Sequence, residues 1–288
     1  MPSINTATAP GEHPVIAGYR GVDSADAVGL GALLARALGE SLVLAGAYRY
    51  EPAALSARAL PAPGNARRAE AAANALQRAR DFAGPGIDVR EAVVASAGTT
   101  AALIGLARDR DACMLVLGRD TLGRVTRSLI PRSPCPVAVA PLNVRLAPIA
   151  PIGRIGVAVD GSPTARWALA AATRLALALD AGLAILAVGQ SAEHAATSVH
   201  MACVAVEPTA VPWTSCALVG DPKRELAAAT AGLDLLVCGS RGHGRPLATI
   251  LGSVSTHLIA HAQCPVVVVP PGVWHNGSVL VPPAARTA

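Results

Sequence analysis

The feature that most constrains this chain is an internal repeat. The segment GRVTRSLIPRSPCPVAVAP begins at Gly123, and the segment GSVSTHLIAHAQCPVVVVP begins at Gly252. They align without a gap over nineteen residues and share Gly, Val, a Leu-Ile pair and Cys-Pro-Val. A match of that length indicates duplication of a whole folding unit. The 288 residues are enough for two domains of ordinary size, each with its own core.

A proline-rich segment, PLNVRLAPIAPIG at residues 141–153, separates the two halves and predicts a linker. We therefore expect one domain at residues 13–142 and a second at residues 152–271. Residues 272–288 are expected to form a tail.

Each half alternates short apolar strands with helical segments. In the second half the predicted strands are RIGVAV, AGLAILAV, WTSCALV, DLLVCG and PVVVVP, and in the first half they lie at about 14–19, 41–47, 89–95, 113–118 and 136–140. Ser162 and Pro163 predict the start of a helix that ends at Gly182. Nearly continuous apolar strands between helices indicate a parallel sheet covered on both faces. The expected fold class is α/β: two tandem doubly wound domains, each a five-stranded parallel sheet in the order 3-2-1-4-5 with helices on both faces.

Composition excludes several classes of function. The net charge is +5 without a basic run, and aromatic residues make up 2%, so a nucleic-acid partner is not expected. The one lysine, Lys223, follows Pro222 rather than a glycine-rich loop, which excludes a Gly-Lys-Ser/Thr phosphate loop. The six cysteines include no Cys-x-x-Cys pair and read as buried small hydrophobes. With no signal sequence and no uncharged apolar run of 18 residues, we expect a cytoplasmic protein without a membrane partner.

The stretch GSRGHGRPLATILGSVS, residues 239–255, follows the apolar strand DLLVC. Its glycines allow close backbone approach, and Gly252-Ser253 leads into a helix whose free N–H groups favour phosphate. In the expected sheet, ligands bind between strands one and four, which end at Asp160 and Gly239. Asp160 could accept hydrogen bonds from a ribose or help to hold a phosphate-bound Mg²⁺. Glycines near a helix start are, however, also typical of simple turns.

The full pattern resembles a known family. The spacing Gly239-x2-Gly242-x9-Gly252-Ser253, together with VAVDGS at 157–162 and VGDPKRELAAATAGLDLLVCGSRG at 219–242, is similar to the ATP-binding signature of the universal stress protein family. The resemblance is strong over residues 152–271 and fainter over 13–142.

The resemblance implies a set of contacts with ATP and Mg²⁺. Adenine or ribose contacts fall to Ala158, Asp160, Val188 and Cys238, with Asp160 also the candidate metal ligand. Phosphate and ribose contacts fall to Gly239, Gly242, Gly252, Ser253, Val254 and Ser255. The family also dimerises through its fifth strands, so the two halves are expected to form an intramolecular pseudo-dimer. Whether two chains then form a homodimer is left open.

The first half departs from the nucleotide-binding pattern. Four residues separate Gly118 from Gly123, whereas twelve separate Gly239 from Gly252. Arg124 replaces Ser253, Thr126 replaces Ser255, and Tyr19 or Arg20 falls where Asp160 would be. Our hypothesis is that this half is a degenerate domain that does not bind ATP in the family manner and serves as the packing partner of the second half.

The expected function is a cytoplasmic stress-response protein that binds ATP in its second half as a regulatory or structural ligand and acts on an unknown protein partner. Residues 239–255 contain no Asp or Glu to orient a hydrolytic water, so an enzyme is not expected. The alternatives are a slow ATPase or nucleotidyl-transfer enzyme, and a nucleotide-free interaction protein. His257 and His261 have a zinc-like spacing but no third ligand in the sequence, and we expect them to be surface residues.

Overall fold

The computed structural model describes residues 13–21, 24–51, 63–119, 124–141, 151–206, 209–240 and 251–271. Those residues of the first half form β1 Val15–Gly18, α1 Ala25–Leu38, β2 Leu42–Arg49, α2 Pro63–Ala79, β3 Val89–Ser96, α3 Thr99–Asp109, β4 Met114–Gly118, α4 Arg124–Leu129 and β5 Val137–Ala140. Those of the second half form β6 Arg154–Ala158, α5 Pro163–Leu179, β7 Gly182–Gly189, α6 Ala192–Val206, β8 Trp213–Val219, α7 Pro222–Ala229, β9 Leu235–Gly239, α8 Ser253–His261 and β10 Val266–Val269.

The strands form one continuous sheet in the order β3-β2-β1-β4-β5-β10-β9-β6-β7-β8. Within each half all neighbours are parallel and follow the order 3-2-1-4-5, so the predicted fold class is confirmed. The halves meet where β5 and β10 pair antiparallel, with Ala138 opposite Val267. The edge pairing predicted for the fifth strands therefore lies inside the chain and gives the pseudo-dimer its sheet.

Two core layers cover the two faces of the sheet, because successive side chains of a strand point to opposite faces. One layer contains Val15 and Ala17 of β1 and is covered by α1, α2, α5 and α6. The other contains Ile16 and is covered by α3, α4, α7 and α8. Each layer includes residues of both halves, so apolar burial holds the halves together on both faces of the β5–β10 seam.

Helix α5 begins as predicted and ends earlier than predicted. Ser162 is its N-cap, accepting a hydrogen bond from the Ala165 N–H at 3.2 Å, and proline follows at the first helical position. The helix ends at Leu179, and its C-cap is Asp180 in the left-handed conformation with φ 51°. The prediction that Gly182 ends the helix was wrong, since Asp tolerates this conformation and Gly182 opens β7.

Four of the six cysteines are buried, at 113, 135, 238 and 264, as predicted for small core residues, whereas Cys203 is partly exposed and Cys216 is exposed. None of the helices in the described ranges is both long enough and apolar enough to cross a membrane.

Candidate functional site

The candidate site lies at the carboxyl ends of β6 and β9. These are the first and fourth strands of the second half, and they are direct neighbours, with Val157 opposite Val237. The strand order reverses here, because β7 continues on one side and β10 on the other. A doubly wound sheet opens a crevice at such a point, since the helices that follow the two strands lie on opposite faces.

The loop after β6 holds the carboxylate of Asp160 in place. Its Oδ1 atom accepts a hydrogen bond from the Ser162 N–H at 2.9 Å, two residues further on. Gly161 between them has φ 77°, a conformation that suits glycine. The Ser162 hydroxyl is also hydrogen-bonded to that of Thr164 at 3.1 Å. Asp160 is therefore positioned by a turn that is fixed to the start of α5.

Gly239 at the end of β9 is required by packing. A Cβ atom there would lie 2.9 Å from the Thr164 Oγ1 atom and 3.0 Å from the Thr164 carbonyl carbon. Cβ atoms essentially never come within 3.0 Å of other heavy atoms, so a side chain would push α5 away from the strand. The glycine thus serves the close approach of α5 to β9, whatever its role toward a ligand.

Ser240 is a candidate residue that the sequence reasoning missed. It is 1% exposed, and its Oγ atom has no hydrogen-bond partner in the described part of the chain. Its backbone N–H donates to the Val269 carbonyl at 2.9 Å, and its carbonyl accepts from the Gly252 N–H at 2.8 Å. A buried hydroxyl without a partner is costly unless a ligand or water completes it. The available signal was its place directly after the strand, next to Gly239.

The N-terminus of α8 faces the same edge, because the Gly252 N–H bonds to Ser240. Gly252 is the N-cap with φ −63° and ψ 153°, and no side chain of the described residues caps the helix. The first-turn N–H groups of a helix have no partner within the helix and carry its positive dipole end. Ser253 is exposed and Val254 is half-buried. Gly242, the remaining predicted phosphate contact, lies outside the described residues.

Ser255 connects α8 to β9. Its hydroxyl donates to the Gly239 carbonyl at 2.9 Å, and the side chain is buried. With its proton committed to that carbonyl, the side chain stabilises the fold, and its backbone N–H is the group that can face an anion.

The predicted adenine-side residues share one face of the sheet. Cys238 belongs to the core layer that α7 and α8 cover, and Ala158, Val188 and Val254 pack against the same layer. Burial raises the pKa of the Cys238 thiol to about 12, so the thiol is neutral near pH 7. This side of the site is therefore apolar and uncharged.

The same edge of the first half carries different chemistry. Tyr19 and Val159 are both buried, and both donate their N–H to the neighbouring second strand, at 2.9 and 2.8 Å. This correspondence places Arg20 at the position of Asp160, which resolves the alternative left open by the sequence. A cation replaces the carboxylate.

Arg119 follows β4 as Ser240 follows β9, yet it contacts the other half. Its guanidinium donates to the carbonyl oxygens of Ala260 and Ala262, the latter at 3.3 Å, at the C-terminal end of α8. Burial lowers the pKa of Arg119, which nevertheless stays charged at neutral pH. A cation at a helix C-terminus is stabilising. The residue that corresponds to Ser240 thus contacts the C-terminal end of α8, the helix whose N-terminus belongs to the candidate site of the second half.

This architecture defines a tandem doubly wound α/β protein with one glycine-capped helix terminus at the switch point of its second half. Sequence comparison gives the family. The chain matches the family model described as the universal stress protein family over residues 13–141 and 151–270, and it belongs to that family. The predicted membership and tandem arrangement are confirmed.

Individual relatives agree with this result. The universal stress proteins Rv2005c of Mycobacterium tuberculosis and Mb2028c of Mycobacterium bovis are each 32% identical over 169 residues, which is 53% of this chain and 57% of theirs. The match therefore spans little more than half the length of these relatives. A universal stress protein of Archaeoglobus fulgidus has the same fold, with a TM-score of 0.69 at 17% identity over 90% of this chain and 98% of its own. A further universal stress protein, whose structure was solved in complex with cAMP, is 26% identical over 44% of this chain and 95% of its own, with a TM-score of 0.35.

Proposed function

We propose that the second half binds one ATP with Mg²⁺ at the carboxyl ends of β6 and β9, as a regulatory or structural ligand that is not turned over. One observation supports the proposal: the carboxylate of Asp160, the buried hydroxyl of Ser240 and the N-terminus of α8 follow neighbouring strands at the switch point. Among the described residues, that hydroxyl has no hydrogen-bond partner and no side chain caps α8. A carboxylate beside anion-binding N–H groups suits a ligand that presents hydroxyls at one end and phosphates at the other.

The phosphates are expected at the start of α8. The backbone N–H groups of Ser253, Val254 and Ser255 form the first turn of a nine-residue helix, and the Gly252 N-cap has no side chain in the way. The bond between Gly252 and Ser240 sets the direction of this turn relative to β9. Gly239 is proposed to complete the cradle, because glycine lets the backbone come close to the phosphate oxygens. The sequence spacing proposes the same role for Gly242, which lies outside the described residues.

The metal is expected to arrive with the nucleotide. The described residues contain no group of three His, Cys, Asp or Glu side chains that could hold an ion by themselves. Mg²⁺ commonly binds through one or two carboxylates, substrate phosphates and water. A single carboxylate at Asp160 fits that requirement when phosphates are present.

The adenine ring is expected on the apolar side of the site, between Ala158, Val188 and Cys238. A neutral thiol and two aliphatic side chains make van der Waals contact with an aromatic ring without a competing charge.

No turnover is proposed, because residues 239–255 contain neither Asp nor Glu to activate water. We propose that nucleotide occupancy instead changes the surfaces that the protein presents to a partner in the cytoplasm during stress. The first half is proposed not to bind ATP in this way, because Arg20 stands at the Asp160 position and Arg119 is engaged with α8.

The experiment is isothermal titration of Mg-ATP into wild type and two matched variants. Asp160→Asn keeps an oxygen for the Ser162 N–H and removes the charge. Asp234→Asn does the same at the opposite ends of the same strands, where Oδ2 accepts from the N–H groups of Gly153 and Arg154 at 2.9 and 2.8 Å. Loss of one charge-assisted hydrogen bond predicts a Kd about tenfold to a hundredfold higher for Asp160→Asn. Equal affinity in the two variants would remove Asp160 from the site.

A second variant tests the helix end. Gly252→Val is compatible with the observed backbone angles, which lie in the extended region open to any residue. Its methyl groups would occupy the space in front of the first turn, so we expect ATP binding to be lost while the circular dichroism spectrum is retained. Unchanged affinity would point to a simple connection and to the nucleotide-free interaction protein.

A further inference from the structure

The outer edge of the second half, formed by α6 and β8, has fewer charged residues than the equivalent edge of the first half, formed by α2 and β3. In the first half, α2 and β3 carry six charged residues between them: Arg67, Arg68, Glu70, Arg78, Arg90 and Glu91. The equivalent α6 and β8 carry one, Glu193. Both β3 and β8 end the sheet, and among the described residues neither has a strand on its outer side.

Charged residues on an edge strand are a common protection against pairing with another chain. In β3 that protection is present, since Arg90 and Glu91 form ion pairs with Asp88 and Arg80 at 2.8 and 3.1 Å. The seven residues of β8, WTSCALV, contain no charge, and six of them are exposed. The contrast arises within one chain, so it is not a property of the fold.

Two hydrogen bonds to β7 fix the direction of the backbone groups of β8. The Leu183 N–H donates to the Pro212 carbonyl at 2.9 Å, and the Gly220 N–H donates to the Gly189 carbonyl at 3.1 Å. Even-numbered residues of β8 therefore direct their backbone groups toward β7, because direction alternates along a strand. The odd-numbered residues direct theirs outward: Trp213, Ser215, Ala217 and Val219.

These outward residues are symmetric about Cys216. An antiparallel copy of β8 centred on Cys216 would place Ser215 opposite Ala217 and Trp213 opposite Val219, each as a hydrogen-bonded pair. Trp213 and Val219 are 39% and 55% exposed, which are large exposed fractions for apolar side chains. In this register Trp213 of one chain packs beside Val219 of the other. The sequence of the strand is thus complementary to itself.

Helix α6 extends the same apolar surface. It packs on the face of the sheet that holds Leu183, the partner of Trp213 in the β7–β8 register. On its outer side Met201 and Val204 are 66% and 54% exposed. Exposed apolar residues that lie beside an unprotected edge strand are typical of an interface.

We propose that β8 is a homodimer interface, in which the β8 strands of two chains pair antiparallel about a two-fold axis at Cys216. The sheet already grows in this manner inside the chain, where the uncharged strands β5 and β10 pair antiparallel. The proposal is independent of nucleotide binding, because its residues lie on the outer strand.

Sedimentation velocity of the full chain over a concentration series is the first test. Ala217→Lys puts a charge on the outward edge of β8, and Val93→Lys is the matched control, since Val93 lies opposite Gly46 as Ala217 lies opposite Ala187. We expect wild type and Val93→Lys to dimerise equally and Ala217→Lys to have a Kd about tenfold higher or more. A monomeric wild type, or an Ala217→Lys chain that dimerises as wild type does, would overturn the proposal.

Disulfide formation tests the register without a disruptive variant. In a non-hydrogen-bonded antiparallel pair the two Cα atoms lie about 4.5 Å apart, within the range that a disulfide bridges. With diamide as the oxidant, two Cys216 thiols should give one interchain disulfide. Their two protons and two electrons pass to the N=N bond of diamide, which is reduced to the hydrazine. A Cys216→Ser chain should not cross-link. A chain that carries both Cys216→Ser and Val93→Cys should cross-link only at the rate of random collisions between chains. Cross-linking that is equal through residue 93 would refute the register.

Discussion

Removal of the Arg119 guanidinium should weaken the attachment between the halves. Arg119 donates to the Ala260 and Ala262 carbonyl oxygens at the end of α8, across the β5–β10 seam. A buried hydrogen bond to a charged group contributes about 1.5–3 kcal/mol, and partial exposure of the Arg119 side chain lowers the two bonds to about 2 kcal/mol together. We therefore expect Arg119→Ala to lower the free energy of unfolding by about 2 kcal/mol.

For a chain of 288 residues, 2 kcal/mol corresponds to a fall in Tm of about 3 °C. Differential scanning calorimetry and urea titration measure both quantities. Arg132→Ala is the matched control, because Arg132 donates from Nε to the Ser128 carbonyl at 2.8 Å, within its own half and exposed to solvent. We expect the control to cost less than about 0.5 kcal/mol. Equal losses in the two variants would refute the idea that Arg119 joins the halves.

Three further predictions concern single residues. Gly239→Ala should destabilise the fold by about 1–3 kcal/mol, because the new Cβ atom would meet Thr164. Gly105→Ala in α3, where a Cβ atom would have nothing within 4 Å, should stabilise the fold by about 0.5–1 kcal/mol. Urea titration of both variants measures the two changes. Ser240→Ala should leave the unliganded protein as stable as wild type or more stable by up to about 1 kcal/mol, and it should weaken ATP binding. A large loss of stability would mean that the hydroxyl has a protein partner. Burial raises the pKa of the Cys238 thiol from 9.0 to about 12, so the folded state favours the neutral thiol. The free energy of unfolding is therefore expected to fall as the pH rises from 9 to 12. A Cys238→Ala chain with the same pH profile in calorimetry would contradict this.

Much of the fold could be predicted from the sequence, because its signals are local. Alternating apolar strands and helices give a parallel sheet, and the repeat at Gly123 and Gly252 gives its duplication. Ser162 and Pro163 marked a helix start correctly. The end of α5 could not be predicted in the same way, since Asp180 adopts a conformation for which Gly182 is the better residue by intrinsic preference.

The site was predicted less completely, for a physical reason. Spacing identified residues that share an edge but not the bonds between them. The phosphate contact of Ser255 stays a prediction for its backbone N–H, because its hydroxyl donates to the Gly239 carbonyl. Ser240 became a candidate through its burial. The contact of Arg119 with α8 joins residues more than 140 positions apart, so no local pattern could have predicted it.

The most direct test of the central proposal is the nucleotide content of the purified protein. The protein is denatured, and the released nucleotides are identified by mass spectrometry and quantified per chain after a saturating incubation with Mg-ATP. We predict about one ATP per chain, bound in the second half and released unhydrolysed. Two nucleotides per chain would contradict the proposal that the first half does not bind ATP, and release of ADP or AMP would favour turnover. No released nucleotide, together with no heat on titration, would contradict the binding site itself.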